Sequence, residues 1–148
     1  MMKRQSGSQS LEFTMVLIPF LILILGFFEL SRLLLVNIIF DSAVSAGVRD
    51  VRSLAGGLRS EQTFIKKIGQ FPMLETDKLT VSPPLYGKTI SDIANLASVS
   101  YADAKLGEYK ITYEFSFVLL PGLSEKFTES VGNFTTLSRK VLVSYDNK

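Results

Sequence analysis

The 148 residues leave room for one small domain beside any membrane segment, and a net charge of only +2 argues against a nucleic-acid binder working by bulk phosphate attraction. The composition has no Cys, no His and no Trp, which removes the usual zinc sites, nucleophiles activated by His, and thioredoxin-like redox chemistry. A mean hydropathy of +0.27 hides an asymmetry, because residues 13–40 are nearly all apolar and the rest reads as an ordinary soluble domain.

Residues 1–7 are short, polar and basic. Lys3 and Arg4 hold an N-terminus on the cytoplasmic side by the positive-inside rule, and they account for the whole surplus of 16 basic over 14 acidic side chains. From Phe13 to Phe28 there is no charge, and only Thr14, Pro19 and Gly26 interrupt the Leu, Ile, Phe, Val and Met. Crossing about 30 Å of hydrocarbon takes about 20 helical residues, so the span borrows from the apolar segment Leu30–Phe40 and occupies about residues 13–35. Pro19 lacks a backbone donor and is expected to kink this helix in its first third. A secretory signal peptide is disfavoured: the apolar core is too long, and Glu29 follows it where small residues would mark a cut.

Glu29 and Arg32 are three apart, share a helix face and can pair. Two readings stand side by side. The pair marks the outer interface with Arg32 snorkelling toward water, or it is buried against a partner helix, since ionisable groups at membrane depth are costly and usually functional.

Beyond Phe40 the helical pattern turns amphipathic. Val44, Val48, Val51, Ala55 and Leu58 recur at spacings of three and four, with Asp41, Ser45, Arg49, Arg52 and Arg59 largely opposite. Ser42, Ala43, Ser45, Ala46 and Gly47 are small enough to admit a close neighbour. Gly56-Gly57 is a natural stop. The pattern predicts one continuous helix from about Ser8 to Ala55, on the order of 70 Å long.

A second helix is expected to open at Ser60 as N-cap, with Glu61 at the positive end of its dipole, Phe64, Ile68 and Phe71 on its apolar side, and Pro72 after it. Lys78–Ser82 reads as a short strand ended by Pro83-Pro84. Thr89 and Asp92 have the spacing of a capping box, followed by Ile93, Leu96 and Ala97 at helical intervals. The clearest β signal is Tyr109–Leu119, whose odd positions are all apolar while Lys110, Thr112, Glu114 and Ser116 are polar. Pro121-Gly122 ends it. Leu123, Phe127 and Val131 suggest a short helix capped by Ser124, and Thr135–Tyr145 alternates again. These elements predict an α+β fold, with a small antiparallel sheet packed on the outer half of the long helix.

No catalytic constellation is apparent. There is no phosphate-binding Gly loop, no metal-ligand spacing and no carboxylate pair in a plausible pocket setting, so neither cofactor nor metal is expected. Asp77, Asp92 and Asp103 are isolated and read as solvated or capping groups.

The residues around Gly7 carry a family resemblance. Gly7, four residues, then Glu12-Phe13 and an apolar helix resembles the class III signal of type IV pilin precursors. In that group a membrane prepilin peptidase cuts after the Gly, here between Gly7 and Ser8, and Glu12 becomes the carboxylate at the fifth mature position. The wider string Leu11-Glu12-Phe13, Ile18-Pro19 and Gly26-Phe27-Phe28-Glu29-Leu30-Ser31-Arg32 is similar to the TadE/TadF family of minor pilins. Leu11, Thr14 and Ile18 stand where that family usually has Val, Ala and Leu. The likeness covers about residues 5–55 and is diffuse beyond, where Ser138-Arg139-Lys140 is weakly diagnostic.

The resemblance implies a pseudopilin of a tight-adherence (Tad/Flp) pilus that supports adherence and biofilm formation. It implies a leader at 1–7, a long helix at 8–56 and an extracytoplasmic domain at 57–148. The expected setting is the bacterial inner membrane, single-pass, with the N-terminus cytoplasmic and the domain periplasmic or carried into the pilus. Expected partners are prepilin peptidase, the other minor and major pilins, the inner-membrane pilus platform and the lipid bilayer, with no nucleic acid and no enzymatic activity. Cutting at Gly7 would create an ammonium on Ser8, and pairing it with Glu12 relieves the cost of holding either charge near hydrocarbon. The competing reading is an uncleaved single-pass subunit of an envelope or secretion complex, with Glu29, Arg32 and residues 42–47 as its partner interface.

Overall fold

A computed structural model of the chain describes residues 6–54, 58–119, 122 and 135–145. Helix α1 (Ser6–Arg52) runs for 47 residues without a break, about 70 Å at 1.5 Å per residue. It begins two residues before the expected Ser8 and stops short of Ala55. At its end the Ser53 hydroxyl donates to the Asp50 carbonyl at 3.0 Å and the Leu54 N–H to the Val51 carbonyl at 2.9 Å, which tightens the last turn. Arg49 and Arg52 lie in that turn, where cations favour the helix dipole. The Gly56-Gly57 stop lies outside the described residues.

Along α1 the environment changes once. From Leu11 to Phe28 no residue is buried, whereas Glu29, Leu33, Val36, Phe40, Ala43, Val44, Gly47 and Val51 are. Apart from the adjacent Ala43 and Val44, they follow at spacings of three and four and trace one face. Helix α2 (Leu58–Ile68) lies against the far end of that face and buries Phe64 and Ile68, with Phe71 partly covered beyond its end. Gly47 is what lets it in: a Cβ there would stand 2.7 Å from Phe64 Cδ1, so even Ala would force the ring away. The small-residue segment thus receives an aromatic ring from its own chain at Gly47, while Ser42 and Ser45 stay exposed.

Ser60 is not the N-cap expected of it. Helix α2 starts two residues earlier, and Ser60 is fully buried in the first turn, where it hydrogen-bonds Tyr109.

After a 3₁₀ turn (Thr76–Lys78), strands β1 (Leu79–Val81) and β2 (Leu85–Gly87) flank helix α3 (Ile90–Ala94) on its N-terminal side, and β3 (Leu106–Glu114) and β4 (Thr136–Ser144) complete an antiparallel sheet. Strand β3 is central. It pairs along its whole length with β4, from Leu106↔Ser144 to Glu114↔Thr136. On its other edge β2 covers the first residues and β1 the last. The period of two is obeyed: Gly107, Tyr109, Ile111 and Tyr113 are buried and pack toward the helices. The capping box of α3 forms as its spacing suggests. The Asp92 N–H donates to Thr89 Oγ1 at 3.3 Å, and Asp92 Oδ2 accepts from the Thr89 N–H at 2.9 Å and the Lys88 N–H at 3.0 Å. Those donors hold the Asp92 carboxyl below its ordinary range.

Two details depart from the periodic reading. Leu96 is outside α3, left-handed at φ 55 and exposed, because the helix ends one residue earlier at its C-cap Asn95. Strand β3 stops at Glu114, and although Phe115 is still buried, Val118 and Leu119 face outward. The segment Leu123–Val131 lies outside the described residues.

Ring contacts show how the sheet lies along α1. Tyr109 packs on Phe64 at 4.9 Å, and Phe64 sits over Gly47. Phe115 lies beneath the Arg32 guanidinium at 4.8 Å. Strand β3 therefore descends α1 from the level of Gly47 to that of Arg32, toward the apolar half.

At the upper end of the core, the Tyr109 and Tyr145 hydroxyls are 2.5 Å apart and buried. Gly107 makes room for them, since a Cβ there would meet Tyr145 Oη at 2.5 Å. Burial pushes Tyr145 up to about 12 and Tyr109 higher still; their mutual hydrogen bond adds to the rise at Tyr109 and subtracts from it at Tyr145. A raised acid pKa means the folded chain holds protons that the unfolded chain, titrating near pH 10, has released. The stabilisation is complete below about pH 10 and is lost as pH climbs toward about 12, by at most about 1.4 kcal/mol per pH unit for each tyrosine. Thermal unfolding of the detergent-solubilised chain should show a midpoint level to about pH 10 and falling above it. Tyrosinate absorbance should appear together with unfolding, and Tyr145→Phe should make the fall shallower.

Candidate functional site

The most unusual group in the molecule is Glu29. It sits on α1 where the helix stops being uncovered, and it is 1% exposed. A buried carboxylate needs donors to replace its lost water, and three converge. Glu29 Oε1 accepts from the Val118 N–H at 2.7 Å and from the Leu119 N–H. Glu29 Oε2 faces Arg32 Nη1 at 3.5 Å. The same Arg32 nitrogen donates to the Ser116 carbonyl at 3.1 Å, and the guanidinium covers the Phe115 ring, a cation–π contact. The Ser116 hydroxyl accepts from Lys78 Nζ at 3.2 Å. Lys78 also pairs with Glu75 at 2.9 Å, and that hydrogen bond raises its pKa.

Glu29 and Arg32 thus lie within one helix and both turn toward their own chain, clamping the stretch that follows β3. This contact could not be read from spacing alone, because its other half consists of backbone groups of Ser116, Val118 and Leu119, which carry no residue signature.

A second tie lies about 18 Å further along α1, twelve residues at 1.5 Å each. Arg139 on β4 donates through Nε to Asp41 Oδ1 at 2.5 Å and through Nη2 to Asp41 Oδ2 at 3.3 Å and Asn37 Oδ1 at 2.8 Å. Here a signal did exist. Arg139 shares its parity with Val143, which is buried, and with Leu137 and Val141, which are half-buried against the core, so the alternation that turns those residues inward also aims the guanidinium at α1.

The N-terminal candidates lie apart from this clamp. Gly7 and Ser8 are in the first turn of α1 and Glu12 is exposed one turn later, about 26 Å below Glu29. Lys3 and Arg4 are outside the described residues. The helix runs unbroken through Pro19, whose missing N–H leaves the Met15 carbonyl without its usual donor. Thr14, which departs from the family pattern, returns its hydroxyl to the Ser10 carbonyl at 2.8 Å, so it brings no unsatisfied polar group into the apolar stretch.

Other surfaces offer less. Among the described residues no three Asp or Glu side chains gather closely enough to hold a metal ion. An open cleft of about 320 Å³ between α1 and α2 is lined by Asp50, Thr63, Lys66, Lys67 and Gln70, and its carboxylate is already paired to Lys67 at 3.0 Å.

Glu29→Ala would strip the acceptor from two backbone donors and from Arg32. A loss of about 3 kcal/mol in domain stability is expected, read as a lower unfolding midpoint in detergent. Glu29→Gln keeps the oxygen that both N–H groups use and should lose less than half as much.

No curated protein and no solved structure matches the chain. Among protein families, residues 7–49 match the model described as TadE-like protein. The match starts at Gly7, ends at Arg49 in the last turn of α1 and contains Glu12, Pro19, Glu29 and Arg32. The helix on which the sheet is mounted is thus similar, over residues 7–49, to the TadE-like proteins, a family associated with Tad pilus systems.

Proposed function

We propose that the protein is a minor pilin (pseudopilin) of a Tad/Flp-type pilus, cut by prepilin peptidase between Gly7 and Ser8 and required for pilus assembly or initiation. The observation that carries this reading is the coincidence of the TadE-like match with one helix: residues 7–49 lie within α1. The half below Glu29 is apolar and uncovered, with a mean hydropathy of 2.4 in its most apolar window. The half above is one wall of a folded domain. A single membrane span that presents a domain on one side is the form an assembling subunit needs.

In this reading Lys3 and Arg4 keep the leader in the cytoplasm and the sheet domain is periplasmic. The Gly7–Ser8 bond lies in the first helical turn, where the ladder is thinnest and glycine is the weakest helix former short of proline. The peptidase can open that turn without disturbing the span. Glu12 is the assembly carboxylate: within the membrane its charge is costly, and the ammonium of Ser8, on its own or a neighbouring subunit, offsets that cost only in correct register. Prepilin peptidase, the other pilins and the inner-membrane platform are the partners, and no enzymatic activity is assigned.

The competing reading, an uncleaved subunit that docks through Glu29, Arg32 and residues 42–47, loses ground on geometry. Glu29 and Arg32 are engaged by the chain's own segment after β3, Ala43 is buried in its core and Gly47 is covered by Phe64 of α2.

Mass analysis of membrane-extracted protein should find Ser8 at the N-terminus when the peptidase is present and an intact leader when it is deleted. An intact leader in both strains would end the processing claim. Glu12→Ala should leave cleavage nearly unchanged and reduce surface pili several-fold by electron microscopy and shear assay. Normal piliation would remove the assembly role from Glu12.

A further inference from the structure

The stretch after β3 has an odd composition for a solvent-facing turn. Val118 is 65% exposed and Leu119 52%, yet the backbone N–H groups of these same two residues are withdrawn from solvent onto Glu29. One residue pair earlier, the Ser116 carbonyl is taken by Arg32. Bare apolar side chains over a backbone that has these two N–H groups and this carbonyl already bonded go part of the way to what non-helical chain needs at membrane depth, where water is not there to bond it.

Level matters as much as chemistry. Because Glu29 holds both amides, Val118 and Leu119 lie beside the turn Phe27–Leu30, whose Phe27, Phe28 and Leu30 are themselves mostly exposed. A bilayer that covers those helix residues also reaches the segment bonded to them. Counting from Glu12, Glu29 is about 26 Å up the helix, close to the far side of about 30 Å of hydrocarbon. Arg32 and Lys78 flank the segment as cations, and long basic side chains of this kind settle among lipid phosphates.

We propose that Val118 and Leu119 form a lipid-seated foot: the sheet domain rests in the interface of the leaflet on its own side of the membrane, pinned to α1 there by Glu29. The foot fixes the height and tilt of the domain before any other subunit binds. It rests on the single-span reading of α1, and the test separates the two.

The absence of Cys makes single-cysteine labelling clean. Phe20→Cys, Val118→Cys, Leu119→Cys and Ile90→Cys are each labelled with an environment-sensitive fluorophore. The full chain is reconstituted into phosphatidylcholine–phosphatidylglycerol vesicles, dilute enough to isolate single chains. Ile90 is the control: it is 70% exposed but follows β2, at the opposite end of β3 from Glu29. The expected result is quenching of Val118 and Leu119 by headgroup-proximal nitroxide lipid, with iodide sensitivity several-fold below that of Ile90, while Phe20 responds to deep nitroxide. Adding Glu29→Ala should raise iodide quenching at Val118 several-fold and leave Phe20 unchanged. If Val118 and Leu119 behave like Ile90 while Phe20 is lipid-quenched, the foot is wrong and the span stands. If both sites are shielded from iodide and lipid alike, the chain covers them itself and the foot is again wrong. If Phe20 is not lipid-quenched, the span reading beneath the proposal falls.

Discussion

A uniformly apolar helix cannot say where along its length a domain should sit. Leu, Val, Ile and Phe side chains pack adequately after a slide of one turn, because dispersion and burial are non-directional. The buried carboxylate of Glu29 removes that freedom. Its lost hydration has to be replaced by donors at hydrogen-bond distance, and the Val118 and Leu119 amides can supply them at one register only. Arg139, bidentate to Asp41 about 18 Å away, gives a second fixed point. Two directional ties on one rigid rod determine height and rotation, and the apolar core between them then fills in.

The same arrangement divides α1 into faces with different obligations. The face through Leu33, Val36, Phe40, Ala43 and Gly47 is consumed by the sheet and α2. The other side keeps Leu30, Leu34, Leu35 and Ile38 exposed, continuing the apolar surface of the lower half past Glu29. The exposed apolar length from Leu11 to Ile38 is thus about 40 Å, longer than the hydrocarbon thickness of a bilayer. Any second helix that pairs with the upper half of α1 has to approach from the Leu30–Leu34–Ile38 side.

Legibility in the sequence followed the range of each interaction. The long helix, the α3 capping box and the alternation of β3 and β4 depend on neighbours in the chain, and spacing revealed them. Strand β2, three residues with no periodic signal, exists because β3 has an edge to offer. Leu96 read as helical by interval alone, but α3 ends before it. Ser60 has the chemistry of an N-cap and is instead needed beside the buried Tyr109 hydroxyl. For Glu29 and Arg32, pairing within the helix was readable from their spacing, while their further partners were not, since backbone amides 90 residues away leave no mark in composition.

That the TadE-like match is confined to residues 7–49 has a physical reading. Under the proposed function those residues meet several demands at once: a cleavable turn at Gly7, a charge tolerated at Glu12, an apolar surface of set length, the donor-hungry Glu29 and a Gly47 small enough for Phe64. Few substitutions satisfy all of them. Residues of the sheet mostly answer to one demand each, apolar on the odd face and polar on the even, and many sequences meet it. Where the sheet does carry a stricter constraint, at Gly107 beneath Tyr145 and at Arg139 opposite Asp41, it is because that residue touches a neighbour of fixed shape or charge. Recognisable family character therefore concentrates in the helix, which under that proposal serves membrane, protease and domain together, and thins where a residue has only the core to satisfy.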